Sequence, residues 1–153
     1  MRVTTSHSES VETLFDLPCA CQSLRRLTRI TTRIYDRELR RAGIEITQFG
    51  LLTALNKLGY ANQKRLSIGF AMDSTTLTRT LCPLIKRGLV QVRPGKDKRE
   101  RLFSLTQVGK QQIATAQPYW ENAEQALRQK LGDTGWKQMR EVILRVTRVT
   151  TVF

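Results

Sequence analysis

Apolar and polar positions alternate along the chain in a way that predicts mostly helix. Leu24, Leu27, Ile30 and Ile34 recur at intervals of three and four, so they predict one buried stripe on a helix that Asp16 or a neighbour caps, Pro18 opens and Gly43 ends, running to about Arg41. Thr47 is expected to cap a second, short helix whose Phe49, Leu51, Leu52 and Leu55 are apolar nearly all round, as in a central buried element closed by Gly59. Two short helical stretches follow, about 62–70 and 74–87, joined through Met72 and Asp73, with Leu66, Phe70, Leu77, Leu81 and Leu84 inward. Pro83 should bend or shorten the last turn, because it frees the carbonyl of Arg79.

After Gly88 the period changes. Residues 89–93 and 101–105 alternate in the manner of half-buried strands around a basic turn, which predicts a β-hairpin with a charged tip. Thr106 caps a helix over about 107–130, and Asp133 or Thr134 caps a last one. Its stripe of Trp136, Met139, Ile143 and Val146 is more than one short domain can hide. Residues 1–13 are polar and aperiodic and read as a loose leader. The fold class is therefore mainly α with a small β-hairpin wing: a winged helix-turn-helix at 43–106 flanked by helical regions at 14–42 and 107–153.

Charge sharpens this picture. The 153 residues carry a net charge of +13, more than solubility requires, and a polyanionic partner is the first expectation. Residues 62–101 hold ten basic side chains against three acids, and residues 24–41 hold seven arginines against two acids, so these segments supply 12 of the 13 charges. Apolar runs such as Phe49 to Leu52 fall far short of the roughly 18 residues of a membrane span, and no leader of charged-then-apolar type opens the chain, so a soluble, cytoplasmic protein is expected. His7 is the only histidine and there is no glycine-rich nucleotide loop, which leaves a catalytic set, a metal cluster and a cofactor all without parts.

In a helix-turn-helix the second helix enters the major groove and a hairpin can reach an adjacent minor groove. The candidate reading residues are Ser74, Thr75, Thr76, Thr78 and Arg79, with Lys86 further along the same helix. Hydroxyls serve bases or phosphates, and the arginine fork suits a guanine edge. Lys64, Arg65, Lys86 and Arg87 are candidate phosphate contacts that position without reading sequence. At the hairpin tip, Lys96, Lys98, Arg99 and Arg101 put four cations within six residues. Arg99 is the expected minor-groove insertion, and Asp97 holds Arg99 or Arg101 in place. The plainer alternative for this run is a solvated turn.

These residues carry a resemblance. Ile46-Thr-Gln-Phe-Gly-Leu-Leu52, Met72-Asp-Ser-Thr-Thr-Leu-Thr-Arg-Thr-Leu81, Leu84-Ile-Lys-Arg-Gly-Leu-Val90, Asp97-Lys-Arg99 and Leu105-Thr-Gln-Val-Gly109 come in the order and spacing of the MarR (multiple antibiotic resistance regulator) transcriptional regulators, over about residues 20–150. The resemblance implies a bacterial homodimer with interlocking N- and C-terminal helices, each half facing one side of a pseudo-palindromic double-stranded DNA operator. It implies wing roles for Asp97 and Arg99. Two segments depart from the family pattern: Asn62 to Ser67 is more basic than the usual first helix of the turn pair, and the leader has no counterpart.

Other features stay open. Arg26, Arg29, Arg33, Arg37 and Arg40 share one helix face, either solvated beside the dimer seam or lining a cleft where members of the family bind anionic aromatic effectors, with Arg33 and Tyr35 as candidate pocket residues. Cys19 and Cys21, in the first turn of a helix near Arg25 and Arg26, are either a redox pair or small dimer-core residues, and C-x-C alone is poor zinc evidence. Cys82 is expected in the core beside Leu81 and Leu84. The reading that combines these is a sequence-specific repressor released by a small ligand or by oxidation. The rivals are a non-specific architectural DNA-binding protein and an interaction protein that docks an acidic partner.

Overall fold

A computed structural model describes residues 19–95, 97 and 100–150, with the main chain alone at 149 and 150. The expected leader, the Asp16 cap and the opening Pro18 lie outside the described residues. In chain order the elements are α1 (Ala20–Leu39), a 3-10 turn (Arg40–Ala42), α2 (Ile46–Leu58), β1 (Tyr60–Asn62), α3 (Gln63–Phe70), α4 (Ser74–Lys86), β2 (Val90–Pro94), β3 (Arg101–Leu105) and α5 (Gln107–Thr150). The chain falls into two compact units that meet in sequence at Arg33 and Ile34.

The first unit contains the start of α1. Its stripe does not lie buried as periodicity predicts: Leu24, Leu27 and Ile30 are 54%, 43% and 43% exposed, while Ile34, in the second unit, is half-buried. Period reveals that a face is apolar, but burial needs a covering surface, which the described residues do not supply.

In the second unit Gly43 ends the 3-10 turn at φ 68, as expected for a left-handed cap. The cap of α2 is Glu45, not Thr47, which already has its place inside the first turn. The side-chain oxygen of Gln48 accepts the Glu45 N–H at 3.3 Å, and Asp36 Oδ1 accepts the Ile46 N–H at 2.8 Å, so two of the orphan donors at this end are satisfied from elsewhere. Phe49, Leu51, Leu52 and Leu55 are buried as expected and form the centre of the core with Leu39, Ile44, Leu66, Leu77, Leu81, Leu84, Leu89, Val90 and Phe103.

The hairpin strands pair antiparallel from Val90 with Leu105 to Pro94 with Arg101; β2 lies one residue nearer the tip than the alternation predicts, and β3 lies where it is predicted. A third strand, β1, adds to the other edge of β3, giving the order β1-β3-β2. Ala61 and Phe103 face the core from this sheet, while Tyr60 on the neighbouring register position is exposed. Thr106 caps α5 as expected, accepting the Gly109 N–H at 3.0 Å, and its hydroxyl donates back to the carbonyl of Gly88 at 2.6 Å. Gly109 is needed here, because a Cβ would run into the carbonyl oxygen of Leu89. α5 is interrupted at Gly132 (φ 66, ψ 167), between the two helices the sequence predicts. Beyond it Trp136 and Met139 are half-buried, and Val142, Ile143, Leu144 and Val146 are 46–54% exposed.

Candidate nucleic-acid interface

The turn pair is built from local hydrogen bonds. Asn62 caps α3 by accepting the Arg65 N–H at 2.8 Å. Ala71 then turns the chain through a left-handed conformation (φ 49), held by N–H bonds from Ala71 to the Ile68 carbonyl at 3.2 Å and from Met72 to that of Ser67 at 2.9 Å. An alanine there is unusual, since its Cβ crowds the carbonyl that a glycine would spare. Asp73 caps α4 through the Thr76 N–H at 2.8 Å and the Thr76 hydroxyl at 2.7 Å. Those two bonds hold its carboxyl below the usual carboxylate range.

α4 buries Leu77, Leu81 and Leu84 and continues through Pro83 to Lys86. Its outer row, at intervals of four, three and four, is Thr75, Arg79, Cys82 and Lys86, all exposed. Cys82 is therefore not a core residue. It follows Leu81 by one position, a rotation of about 100°, which carries it off the buried face. Ser74, Thr76 and Thr78 are exposed at the start of the helix. The Thr78 hydroxyl donates to the Ser74 carbonyl at 2.7 Å and accepts from Gln63 Nε2 at 3.4 Å, which ties α3 to α4. Lys64 and Arg65, at the start of α3, are exposed.

Of the wing residues, Lys96, Lys98 and Arg99 lie outside the described residues. At the base of the tip the Gly95 N–H reaches the Glu100 carbonyl at 2.8 Å, and the Glu100 N–H reaches that of Asp97 at 2.9 Å. Arg93 and Arg101 are exposed, and the Arg101 guanidinium lies 6.0 Å from the centre of the Phe103 ring. Glu100, for which sequence gives no local signal, accepts from Asn62 Nδ2 at 2.6 Å. One asparagine thus caps α3 and fastens the wing to it.

Arg87, a candidate phosphate contact, is exposed and is also bonded within the protein. Its guanidinium donates to the Gly43 carbonyl at 2.8 Å and to Gln112 Oε1 at 3.0 Å. Gln112 Nε2 in turn donates to the Ala42 carbonyl at 2.8 Å. The charge was legible, but its partners lie 44 and 25 residues away in the chain.

The remaining candidates are placed separately. Tyr35 is half-buried and its hydroxyl donates to Glu124 Oε1 at 2.8 Å. Burial, reinforced by that carboxylate, pushes the phenol well above its ordinary pKa. Arg33 is exposed, and positions two apart on a helix do not face each other. A cavity of about 650 Å³ lies along α5 at the Gly132 break, between Trp120 and Trp136, and includes Glu124 but not Tyr35. Cys19, Cys21 and Cys82 are exposed free thiols. Among the described residues no helix is long and apolar enough to cross a membrane, and no group of three or more His, Cys, Asp or Glu is placed to hold a metal ion.

Comparison with known proteins matches this architecture. A family model described as MarR family covers residues 44–100, the span from the end of the first helical region to the wing. A Bacillus subtilis (strain 168) protein, the uncharacterized HTH-type transcriptional regulator YwoH, is 33% identical over 78 residues, 51% of this chain. The match spans 57% of that curated relative, a little over half its length. Among solved structures, the M. tuberculosis transcriptional regulator MOSR in complex with DNA is 30% identical, with a TM-score of 0.77 over 88% of this chain and 97% of that one. A mutant MarR from E. coli complexed with operator DNA is 20% identical and shares the fold, with a TM-score of 0.74 over 93% of this chain and 99% of the other. The 30% identical relative, matched over 97% of its length, together with the family model over residues 44–100, means that the chain belongs to the MarR family of transcriptional regulators.

Proposed function

We propose that this chain is a sequence-specific, double-stranded DNA-binding repressor that acts in the cytoplasm as a homodimer on a pseudo-palindromic operator. The observation that carries the reading is the outer face of the turn pair. Its apolar side is committed to the core, while Thr75, Arg79 and Lys86 form an exposed row, with Lys64 and Arg65 exposed on α3 and Arg93 and Arg101 on the wing strands. Such a face neutralises phosphates around a helix whose first residues reach base edges. The 30% identical relative was solved in complex with DNA, which supports the same use here. Lys96, Lys98 and Arg99, with Asp97, complete the wing on this reading, with Arg99 in the minor groove.

The homodimer is supported by the exposed apolar side chains of α1 and, separately, of the end of α5, surfaces that a second copy covers. Release is assigned to either of two inputs. One is a small anionic aromatic ligand near Arg33 and Tyr35. The other is oxidation of Cys19 and Cys21, which are exposed.

The test starts from a pool of random duplexes. The reduced, full-length protein enriches its preferred sequence, and anisotropy then compares the enriched duplex with a shuffled one of equal composition at about 150 mM salt. A preference of about a hundredfold or more supports specific readout. Equal affinity for the two overturns it in favour of an architectural role.

A further inference from the structure

We infer that Arg87 and Gln112 are positioning residues for the recognition helix, a role that rests on the DNA-binding reading above and replaces the phosphate contact expected of Arg87. α4 is seated in the core by Leu77, Leu81 and Leu84. Apolar contact of this kind is strong but non-directional, so it resists withdrawal better than it resists tilting or turning. Direction at the C-terminal end comes from Arg87. One arm of its guanidinium bonds the Gly43 carbonyl at 2.8 Å and the other bonds Gln112 Oε1 at 3.0 Å. Gln112, on α5, closes the ring through the Ala42 carbonyl at 2.8 Å. Three parts of the fold therefore meet at one planar, two-pronged donor: the end of α4, the turn after α1, and α5.

The place of this latch matters for two reasons. Pro83 has no N–H to offer the Arg79 carbonyl, so the last turn of α4 lacks one of its internal bonds and depends more on side-chain anchorage. The latch is also at the far end of the lever from the reading residues. A helix of 13 residues is about 20 Å long, so a tilt of about 5° at Arg87 moves Ser74 and Thr75 by about 1.7 Å. A shift of that size exceeds the roughly 0.5 Å over which base-edge hydrogen bonds keep their geometry. Phosphate attraction, being long-range, hardly notices it. Loss of the latch should accordingly cost specificity and leave general affinity intact.

Four variants test this: R87A, R87K, Q112A and the double variant R87A/Q112A. The probes are the duplex enriched by the wild-type protein and its shuffled counterpart, with thermal unfolding recorded for each protein. R87A and Q112A should each lower the ratio of enriched to shuffled affinity by about fivefold to tenfold, the scale of one ordinary hydrogen bond, and the double variant should be no worse than R87A. R87K should fail like R87A, because an ammonium keeps the charge but not the fork. Affinity for the shuffled duplex, and its slope with salt, should match wild type. A loss of folded protein would lower both affinities together, which separates mispositioning from instability. The inference is overturned if R87A lowers the salt slope by about 0.9 per protomer while R87K and Q112A bind as wild type, the signature of a phosphate contact. It is equally overturned if all variants keep the wild-type ratio. A wild-type ratio of one would instead remove the DNA-readout function on which the inference rests.

Discussion

Salt is the perturbation that bears most directly on the proposed interface. Six cationic side chains on the described part of the face are exposed and are not the latched Arg87: Lys64, Arg65, Arg79, Lys86, Arg93 and Arg101. A homodimer carries twelve. Each phosphate contact releases condensed counterions and contributes about −0.9 to the slope of log K against log salt, so full engagement gives a slope near −11 and half engagement near −5. Between about 50 and 200 mM salt, half engagement corresponds to roughly a 10³-fold loss of affinity, and full engagement to more than 10⁶-fold. Anisotropy titrations of a labelled duplex across that range measure the slope. K64A and R65A should each make it shallower by about 1.8, since both protomers lose a contact, whereas K57A on the exposed side of α2 should leave it unchanged. A wild-type slope shallower than about −2, or slopes in K64A and R65A equal to wild type, would refute the assignment of this face to DNA.

Three further expectations concern the scaffold. Gly109→Ala should destabilise the fold by about 2 kcal/mol despite the better helix propensity of alanine, worth about 1 kcal/mol, because the new Cβ meets the Leu89 carbonyl and lies 2.7 Å from Leu105 Cδ1; a denaturation midpoint equal to wild type would contradict this. Tyr35→Phe should cost about 1 kcal/mol at neutral pH by removing the bond to Glu124. Since the folded pKa of Tyr35 is raised, that difference is fully present below about pH 10 and is lost only as pH rises toward the folded value, so urea unfolding at about pH 7 and about pH 9 should give the same difference. Leu27→Glu and, independently, Leu144→Glu place a charge on apolar surfaces now exposed in the chain; light scattering should find monomers, and a dimer of wild-type stability in both variants would leave those faces without a partner.

How much of this was legible in the sequence depended on the range of the interaction concerned. The cap at Thr106 and the glycine stops at Gly43 and Gly59 rest on neighbours within a few residues, and the hairpin strands on a partner across one short turn, so the sequence carries what they need. β1 was not legible because three residues are too few to show alternation, and it exists only because β3 offers an edge. The hydroxyl of Thr47 points to a cap there, but Glu45 and Gln48 cap α2 at an earlier position and Asp36, ten residues upstream, accepts the Ile46 N–H. The leucine neighbours of Cys82 suggest an inward position, but helical rotation puts it beside Arg79 and Lys86 on the exposed row. The roles of Glu100 and Gln112 had no local signal, since each acts through a partner more than twenty residues away. The exposed stripes show the complementary limit: period gives the apolar face and not what covers it.

The hydroxyls of the reading helix narrow what the proposed interface can recognise. Each threonine has one hydrogen to donate. Thr76 gives its hydrogen to Asp73, Thr78 to the Ser74 carbonyl and Thr80 to the Thr76 carbonyl. Toward DNA these side chains are left as acceptors with a methyl group, suited to an amino group of adenine or cytosine or to the methyl of thymine, and unsuited to a phosphate or to guanine O6. Donors at the start of the helix come from the exposed Ser74 and Thr75 hydroxyls, and further along the outer row from Arg79 and Lys86, of which only arginine has the fork that fixes a guanine edge. Specificity on this helix therefore turns on the placement of one guanidinium and a few short hydroxyls among methyl contacts, an arrangement with little tolerance for tilt. That is why the geometry at the opposite end of the same helix, where Arg87 is bonded to the turn after α1 and to α5, should be felt in the choice of sequence before it is felt in the strength of binding.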